Sequence, residues 1–256
     1  MNAPPGSGLA WAGALLFVAS LSYFLFTYAV TFGEIVTGTV SAWAIAGDVA
    51  LFSVFALHHS LFARERVRAL VARAVSPRRE RSVYVWIASL MLIAVCALWQ
   101  PIPGAAWQVD GPIRWLFPVA QLAGVWLTVR SAAVIDIWEL SGVRQAASTP
   151  NSQLPTPNAE RSSLGSNKNW ELGVGRWEFK TDGPYGWVRH PIYLGWLLLV
   201  FPVATMTMTR LLFAVISSAY IVAAIPFEER SLRRASGGSY DHYIKAVPWK
   251  LIPRVY

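Results

Sequence analysis

Charged residues are scarce in this 256-residue chain. They make up 14% of it, whereas hydrophobic residues make up 55%, and about a quarter of a soluble domain is normally charged. The mean hydropathy is +0.41. This composition excludes an ordinary soluble globular protein, and the 13 tryptophans suit a chain that has two membrane interfaces to line. We therefore predict a polytopic membrane protein.

The chain has only one cysteine and no basic segment at its N-terminal end. Cys96 is the single cysteine and lies in an apolar run, which excludes an internal disulfide and favours a packed small residue. Residues 1–6 contain no basic residue, and no small-residue cleavage pattern follows the first apolar run. These absences predict a retained helix rather than a signal peptide. Because the sequence has no internal repeat, one polytopic membrane domain over 1–256 is expected.

Six apolar segments follow one another along the chain. A helix needs about 20 residues to cross the hydrocarbon core, so the first four are long enough and the last two are short. Arg210 alone separates the last two, which predicts a tight helical hairpin. The expected fold is an all-α integral membrane protein with five to six transmembrane helices, a C-terminal hairpin and cytoplasmic amphipathic helices. The segments are Leu9–Phe32, Ala42–Phe62, Val83–Pro101, Ile113–Ile135, Ile192–Met208 and Leu211–Phe227.

Lysine and arginine are distributed unevenly between these segments. With the N-terminus in the cytoplasm, only Arg114 and Arg210 of the 22 basic residues face outside. The positive-inside rule therefore predicts cytoplasmic N- and C-termini, in an integral membrane protein of the bacterial inner membrane. Topology and contact with anionic membrane lipids then explain the net charge of +8, so the charge gives no argument for nucleic-acid binding. No protein partner is predicted.

Three parts are expected within this domain, namely 1–145, a cytoplasmic loop over 146–180, and a C-terminal module over 181–256. In the first part, Arg64–Val75 has apolar residues on one helical face and arginines elsewhere, which is typical of an amphipathic helix in the headgroup layer. The loop is rich in Ser, Thr, Asn and Pro over Ala147–Asn169. That composition predicts a mobile segment that buries no core of its own.

Charged and aromatic residues gather at both ends of the last apolar pair. The residue before a proline is pushed out of helical geometry, and proline suits the first position of a helix. Pro191 should therefore begin a helix and leave His190 just outside it. The free N–H groups at that helix end suit a carboxylate. In the first turn, Tyr193 offers an aromatic wall with a hydroxyl, and Gly195 leaves room for a close approach.

Glu228 and Glu229 stand at the other end of the pair, after Pro226-Phe227. Two carboxylates at a membrane boundary suit a cationic ligand or the hydroxyl groups of a ribose. Neutralisation by the arginines that follow is the alternative interpretation. Taken with His190 across the hairpin, the carboxylates predict a site for a ligand that carries both an anion and a cation.

These motifs, in this order, resemble those of the isoprenylcysteine carboxyl methyltransferase superfamily. The pattern is Gly-Pro-Tyr-x-x-Val-Arg-His-Pro-x-Tyr-x-Gly, an apolar hairpin, Glu-Glu-x-x-Leu and Tyr-x-x-Tyr, within Gly183–Pro253. The resemblance implies a membrane methyltransferase with S-adenosyl-L-methionine as cofactor, and catalytic roles for Arg189 and His190. The chain departs from the family in having Ser236 where a phenylalanine is usual. The implied cofactor-binding residues are Tyr185, Val188, His190, Pro191, Tyr193, Gly195, Glu228, Glu229, Tyr240 and Tyr243.

Further motifs narrow the resemblance to the bacterial methanethiol S-methyltransferase branch, which overlaps the domain named for nitric-oxide-reductase-associated membrane proteins. This implies a small thiol as methyl acceptor, with methanethiol converted to dimethyl sulfide. A lipid-like acceptor, either a prenylcysteine carboxylate or a lipid amine, stays open. So does a non-enzymatic membrane protein linked to nitrogen-oxide metabolism. The motifs are His59–Arg64, Glu80–Val85, Trp99–Pro101, Gly142–Gln145 and Thr205–Ala214.

Four more residues are candidates for the wall of the substrate cavity: His58, His59, Asp136 and Arg144. Neighbours on a helix point in different directions, so the two histidines cannot chelate one ion together, and no metal site is predicted. Bonding to a neighbouring helix is the alternative for a histidine, and an ion pair is the alternative for the other two. A cationic Arg189 would favour a bound thiolate, and the general base stays unassigned.

Overall fold

The computed structural model of the protein describes residues 7–62, 67, 77–135, 183–236 and 238–256. These residues are almost entirely helical. The helices, numbered in chain order, are α1 (Ser7–Ala29), α2 (Ala42–Phe62), α3 (Pro77–Leu98), α4 (Leu116–Ile135), α5 (Pro191–Val200), α6 (Met208–Ala235) and α7 (Ser239–Ala246). Two short strands, β1 (Ala105–Gln108) and β2 (Thr205–Thr207), pair antiparallel, and 3₁₀ helices occupy Thr31–Gly33, Pro112–Trp115 and Gly183–Gly186.

Five of the described helices, α1 to α4 and α6, are long and apolar enough to cross a membrane. The apolar helix α5 has only ten residues. The prediction of an all-α integral membrane protein with five to six transmembrane helices is therefore confirmed. Helix α7 is amphipathic, since Tyr240 and Tyr243 are buried while Asp241 and His242 are exposed. The predicted amphipathic helix at 64–75, apart from residue 67, and the predicted loop at 146–180 lie outside the described residues.

The bundle has two different ends. At one of them the Thr207 hydroxyl donates to the carbonyl of Phe32 (2.5 Å), so the end of α1 meets the start of α6. We call this the hairpin end, because β1 and β2 pair there. At the opposite end α5 begins and α6 ends, and we call it the site end. Ser60, near the end of α2, shares a hydrogen bond of 2.6 Å with Tyr220 of α6 on that side.

An aromatic core holds the helices together in the middle of the bundle. Phe213 of α6 has no exposed surface, and six aromatic rings surround it at centroid distances of 5.3–6.0 Å. Aromatic pairs at such distances add stability beyond the area that they bury. Cys96 lies in the same core, which confirms its prediction as a packed small residue. The surrounding rings belong to Phe24, Tyr28, Phe32, Phe52, Trp99 and Trp196.

Two glycines allow α4 and α5 to approach closely. A Cβ atom on Gly124 would lie 2.6 Å from the carbonyl oxygen of Gly195, and a Cβ atom on Gly195 would lie 2.7 Å from the carbonyl oxygen of Gly124. Helices that meet through small residues bring their backbones into contact. The expected close approach at Gly195 is therefore present, but it is made by a helix. Cofactor binding by Gly195 stays a prediction.

The predicted helix Ile192–Met208 is wrong in its second half. Helix α5 ends at Val200, and the chain then runs through irregular backbone into β2 before α6 begins. Pro202 accounts for the stop, because proline lacks the N–H group that would continue the helix. The turn between the two helices is thus residues 201–207 rather than Arg210. The second helix is longer than predicted, because α6 continues through Pro226 to Ala235.

Arg210 is buried at the hairpin end. Its Nε donates to the carbonyl of Tyr28 (3.0 Å) and its Nη2 to that of Ala29 (2.7 Å). Its Nη1 donates to the carbonyl of Thr205 (2.7 Å). The last carbonyls of a helix lack hydrogen-bond partners within the helix. The guanidinium of Arg210 donates these missing hydrogen bonds to the end of α1. Arg210 therefore fixes the end of α1 to the turn before α6.

Candidate active site

The residues around Arg189 and His190 form a short non-helical segment at the site end. His190 has φ −122° and ψ 63°, outside helical geometry, and α5 begins at Pro191 as predicted. The backbone N–H of Arg189 donates to the carbonyl of Trp249, and that of His190 to the carbonyl of Lys250, both at 2.9 Å. Residues 247–250, which we call the C-terminal strap, therefore hold this segment in place.

The side chain of Arg189 is bound on several sides. Its Nε donates to Oε1 of Glu229 (2.8 Å), and its Nη1 donates to the carbonyls of Val247 (2.8 Å) and Pro248 (2.6 Å). Only 4% of the side chain is exposed, and a buried charge needs such partners. These bonds give Arg189 a positioning role that the sequence did not reveal. Its predicted role beside a thiolate stays a prediction.

The imidazole of His190 lies between the two glutamates. Its Nε2 is 3.4 Å from Oε1 of Glu229, and its Nδ1 is 3.6 Å from Oε2 of Glu228. The ring stacks on that of Tyr193 at a centroid distance of 5.4 Å and an interplanar angle of 8°. Burial lowers the pKa of His190, although both carboxylates act in the opposite direction. The imidazole is therefore neutral at neutral pH, and the site carries the negative charge of its acids.

The two glutamates have different surroundings. The side chain of Glu229 is 11% exposed and pairs with Arg189, whereas that of Glu228 is 44% exposed. Oε2 of Glu228 accepts a hydrogen bond from the hydroxyl of Tyr193 (2.9 Å), and its Oε1 has no hydrogen-bond partner among the described residues. Both acids belong to α6 rather than to a segment after it. Glu228 is therefore the more accessible of the two acids.

Tyr240 and Tyr243 attach α7 to the site end. Their rings lie 5.8 Å apart, and both pack against Val247. The Tyr243 hydroxyl donates to the carbonyl of Tyr185 (2.8 Å), and burial raises the pKa of Tyr243 to about 12. Ser236, which stands where the family usually has phenylalanine, accepts a hydrogen bond from the N–H of Tyr240 (3.2 Å). The departure from the family pattern thus places a hydroxyl cap at the start of α7.

Six of the ten predicted cofactor residues fall into two groups. One cluster contains His190, Tyr193, Glu228 and Glu229. We call it the donor cluster, after the methyl donor that these residues are predicted to bind. Val188 has no exposed surface and Pro191 is buried, so both support the backbone of the segment. Cofactor binding by any of these residues stays a prediction.

The predicted substrate-cavity residues are only partly described. Nδ1 of His59 and the hydroxyl of Tyr84 share a hydrogen bond of 2.7 Å, which joins α2 to α3. The ring of His58 stacks on that of Tyr84 at 5.8 Å, and its nitrogens have no hydrogen-bond partner in the described part of the chain. Asp136 and Arg144 lie outside the described residues.

Ser60 and Tyr84 lie in motifs that carried the family resemblance, but neither they nor Tyr220 were predicted as site residues. All three contribute polar groups inside the bundle. Their hydroxyls bond across α2, α3 and α6. Polar side chains within transmembrane segments are rare and commonly functional. That signal was present in the sequence, but the partner of each hydroxyl is 25 to 160 positions away.

Comparison with known proteins gives the family. The chain is 34% identical over 213 residues to methanethiol S-methyltransferase 2 of Bradyrhizobium diazoefficiens, covering 83% of this chain and 74% of that protein. It is 33% identical over 238 residues to methanethiol S-methyltransferase of Mycobacterium tuberculosis, covering 88% and 90%. The chain belongs to the methanethiol S-methyltransferase family. The family resemblance seen in the motifs is therefore confirmed, and the protein is an enzyme of the methyltransferase class.

A third relative carries the same protein name. Methanethiol S-methyltransferase of Crocosphaera subtropica is 34% identical over 211 residues, which cover 82% of this chain and 75% of that protein. No protein-family model matches the chain, and no solved structure matches it either. The alignments span most of each protein, so membership rests on the whole membrane domain rather than on the short motifs alone.

Proposed function

We propose that this protein transfers a methyl group from S-adenosyl-L-methionine to a small thiol, with methanethiol converted to dimethyl sulfide. The observation that carries the proposal is the contact between the imidazole of His190 and the carboxylate of Glu229, at 3.4 Å. It joins the start of α5 to the end of α6 in a chain whose relatives are named methanethiol S-methyltransferases.

The chemical groups of the donor cluster fit S-adenosyl-L-methionine. Its amino-acid part carries a carboxylate and an ammonium, and its sulfur carries a positive charge. The N-terminus of α5 suits the carboxylate, and Oε1 of Glu228 suits the ammonium or a ribose hydroxyl. The stacked rings of His190 and Tyr193 offer an aromatic face, which attracts cations. Because Arg189 neutralises Glu229, one negative charge remains to balance the sulfonium.

When bound, the donor supplies an activated methyl group on a sulfonium. The task of the protein is then to align this group with the acceptor sulfur and to exclude water, which is worth several orders of magnitude in rate. Arg189 contributes by holding Glu229 and the C-terminal strap at fixed distances. Neutral His190 adds no positive charge that would repel the sulfonium. A low-dielectric membrane interior favours the loss of charge when a thiolate and a sulfonium react.

Orientation and location follow the positive-inside rule in this proposal. The site end would face the cytoplasm, with both termini on that side, and Arg114 and Arg210 at the hairpin end would lie towards the outside. The donor cluster would then be open to the compartment that contains S-adenosyl-L-methionine. The bacterial inner membrane is the corresponding location. We retain the division into 1–145, 146–180 and 181–256 as part of this proposal.

The test is a label-transfer assay with purified protein and S-adenosyl-L-methionine labelled in its methyl group. Acceptors would include methanethiol, ethanethiol, a prenylcysteine and a lipid amine, and headspace gas chromatography would detect dimethyl sulfide. Labelled thioether from the thiols alone is the expected result. Label in the prenylcysteine or lipid amine would point to a lipid acceptor, and donor binding without transfer to any acceptor would point to a non-enzymatic role.

A further inference from the structure

A second group of polar side chains lies beside the donor cluster. It consists of His59 and Ser60 on α2, Tyr84 on α3 and Tyr220 on α6, and we call it the inner polar cluster. Two hydrogen bonds hold it together, His59 Nδ1 to the Tyr84 hydroxyl (2.7 Å) and Ser60 Oγ to the Tyr220 hydroxyl (2.6 Å). Burying four polar side chains from three membrane helices costs free energy, and such groups commonly have a function.

Tyr220 connects the inner polar cluster to the donor cluster. It lies eight residues before Glu228 on α6, about 12 Å along the helix axis. Tyr220 also packs in the same apolar group as Tyr193. It is close enough for electrostatic interaction with Glu228 and Tyr193 on one side and with Tyr84 on the other. Through Tyr220 and Tyr193, the two clusters pack against the same apolar group at the site end of the bundle.

The surroundings of the inner polar cluster are aromatic and suit a small apolar acceptor. The ring of Phe55 lies 6.1 Å from that of His59, and the ring of Phe52 lies 6.4 Å from that of Tyr220. Binding sites for small molecules are commonly apolar with a few placed polar groups. A thiol has an apolar body and one weakly acidic S–H group, so it matches this combination.

We propose that His59 is the general base that removes the proton of the acceptor thiol, and that the inner polar cluster is the acceptor side of the active site. This inference rests on the proposed thiol methylation. Nε2 of His59 takes the proton of the S–H bond, and the electron pair stays on sulfur. That sulfur forms a new bond to the transferred methyl carbon, while the bond from this carbon to the donor sulfur breaks and leaves its pair on the donor.

Because Nδ1 of His59 is bonded to Tyr84, the proposal assigns the base function to Nε2 and the proton of the neutral ring to Nδ1. With the proton of the neutral imidazole on Nδ1, that nitrogen donates to the Tyr84 oxygen and leaves Nε2 as the acceptor. His59 lies in the last turn of α2, so the proposal has the imidazolium return its proton to water at the site-end surface of the membrane. The other titratable groups near it among the described residues are His58 and Arg81. Base assistance matters because a thiol such as that of cysteine, with a pKa of about 8.5, is mostly protonated at neutral pH.

Substitution of His59 combined with two thiols of different acidity tests the proposal. Ethanethiol needs a base at pH 8, whereas 2,2,2-trifluoroethanethiol has nearly the same shape and is already largely ionised. His59→Ala should lower kcat for ethanethiol by about 100-fold or more and should affect the fluorinated thiol at least tenfold less. Added imidazole should restore part of the ethanethiol rate. His242→Ala, which removes an exposed histidine of α7, is the matched control and should leave both rates unchanged.

Binding of S-adenosyl-L-methionine by calorimetry separates a lost base from a lost fold. His59→Ala should bind the donor as the unmodified protein does, and His59→Gln replaces it in the assay if that variant is unstable. Equal losses for both thiols without imidazole rescue, or unchanged turnover of ethanethiol, would overturn the proposal. A different outcome is that the unmodified protein methylates neither thiol and instead transfers the label to a lipid, or binds S-adenosyl-L-methionine without any transfer. Either result would contradict the proposed function itself rather than the role of His59.

Discussion

Nε of Arg189 lies 2.8 Å from Oε1 of Glu229, and the same oxygen lies 3.4 Å from Nε2 of His190. One carboxylate oxygen thus connects the segment before α5 to the end of α6. Arg189 also bonds two carbonyls of the C-terminal strap. The position of His190 therefore depends on an arginine, a glutamate and a distant stretch of backbone together.

Replacing Arg189 by lysine should separate its charge from its geometry. A lysine keeps one positive charge near Glu229, but a single ammonium cannot reproduce the bonds of Nε and Nη1. We expect Arg189→Lys to lower the affinity for S-adenosyl-L-methionine at least tenfold and to reduce Tm, as measured by calorimetry and thermal unfolding. Arg114→Lys, at an exposed arginine of the hairpin end, is the control. An unchanged donor affinity in Arg189→Lys would contradict a positioning role.

The two neighbouring glutamates should respond differently to the same substitution. Glu229→Gln leaves the buried Arg189 without its charged partner, so we expect a loss of stability of about 3–5 kcal/mol. Glu228→Gln should leave Tm nearly unchanged, because that side chain is 44% exposed, but should raise the KM for the donor. Glu34→Gln, at an exposed acid, is the control for both. The reverse assignment of the two effects would show that Glu229 is the acid facing the ligand.

Gly195 should tolerate no side chain. A Cβ atom there would lie 2.7 Å from the carbonyl oxygen of Gly124 on α4, so the two helices would have to move apart. We expect Gly195→Ala to destabilise the protein by about 1–3 kcal/mol, as measured by unfolding in detergent. Gly8→Ala is the matched control, since nothing lies within 4 Å of a Cβ atom at that position. Equal stability of the two variants would contradict the close packing of α4 on α5.

Acidification should weaken donor binding through His190. Burial lowers the pKa of His190 below its ordinary value of about 6.5, so folding and the donor site favour the neutral ring. The corresponding stability is present above pH 6.5 and is lost as the pH falls from there towards the lowered pKa. Donor affinity measured from pH 8 to pH 5 should therefore fall at the acid end. His190→Gln should flatten this acid limb, whereas His242→Ala should retain it.

The sequence predicted the parts of the site that depend on neighbouring residues. Pro191 ends the non-helical segment and starts α5 wherever the rest of the chain lies, and the apolar runs mark the helices. The bonds of Arg189 to residues 229, 247 and 248 could not be predicted in this way. They join positions 40 to 59 residues apart, and nothing in the local sequence selects one carbonyl over another.

Errors in the sequence analysis arose at the hairpin end for a similar reason. Arg210 was predicted to be the turn between the last two helices, but it lies in the first turn of α6, where the carbonyls at the end of α1 surround it. The helix predicted for Ile192–Met208 ends at Val200. Pro202 prevents its continuation, and β2 then pairs with β1. Both features depend on contacts between distant segments. A hydropathy pattern records the polarity of one segment and contains no information on its partners.

The C-terminal strap has a consequence for biosynthesis. Its carbonyls at positions 249 and 250 hold the backbone of Arg189 and His190, yet they are translated about sixty residues later. A chain that has already inserted its membrane helices still lacks these contacts until residue 250 leaves the ribosome. The backbone of Arg189 and His190 therefore gains this support only after all the described membrane helices have been synthesised.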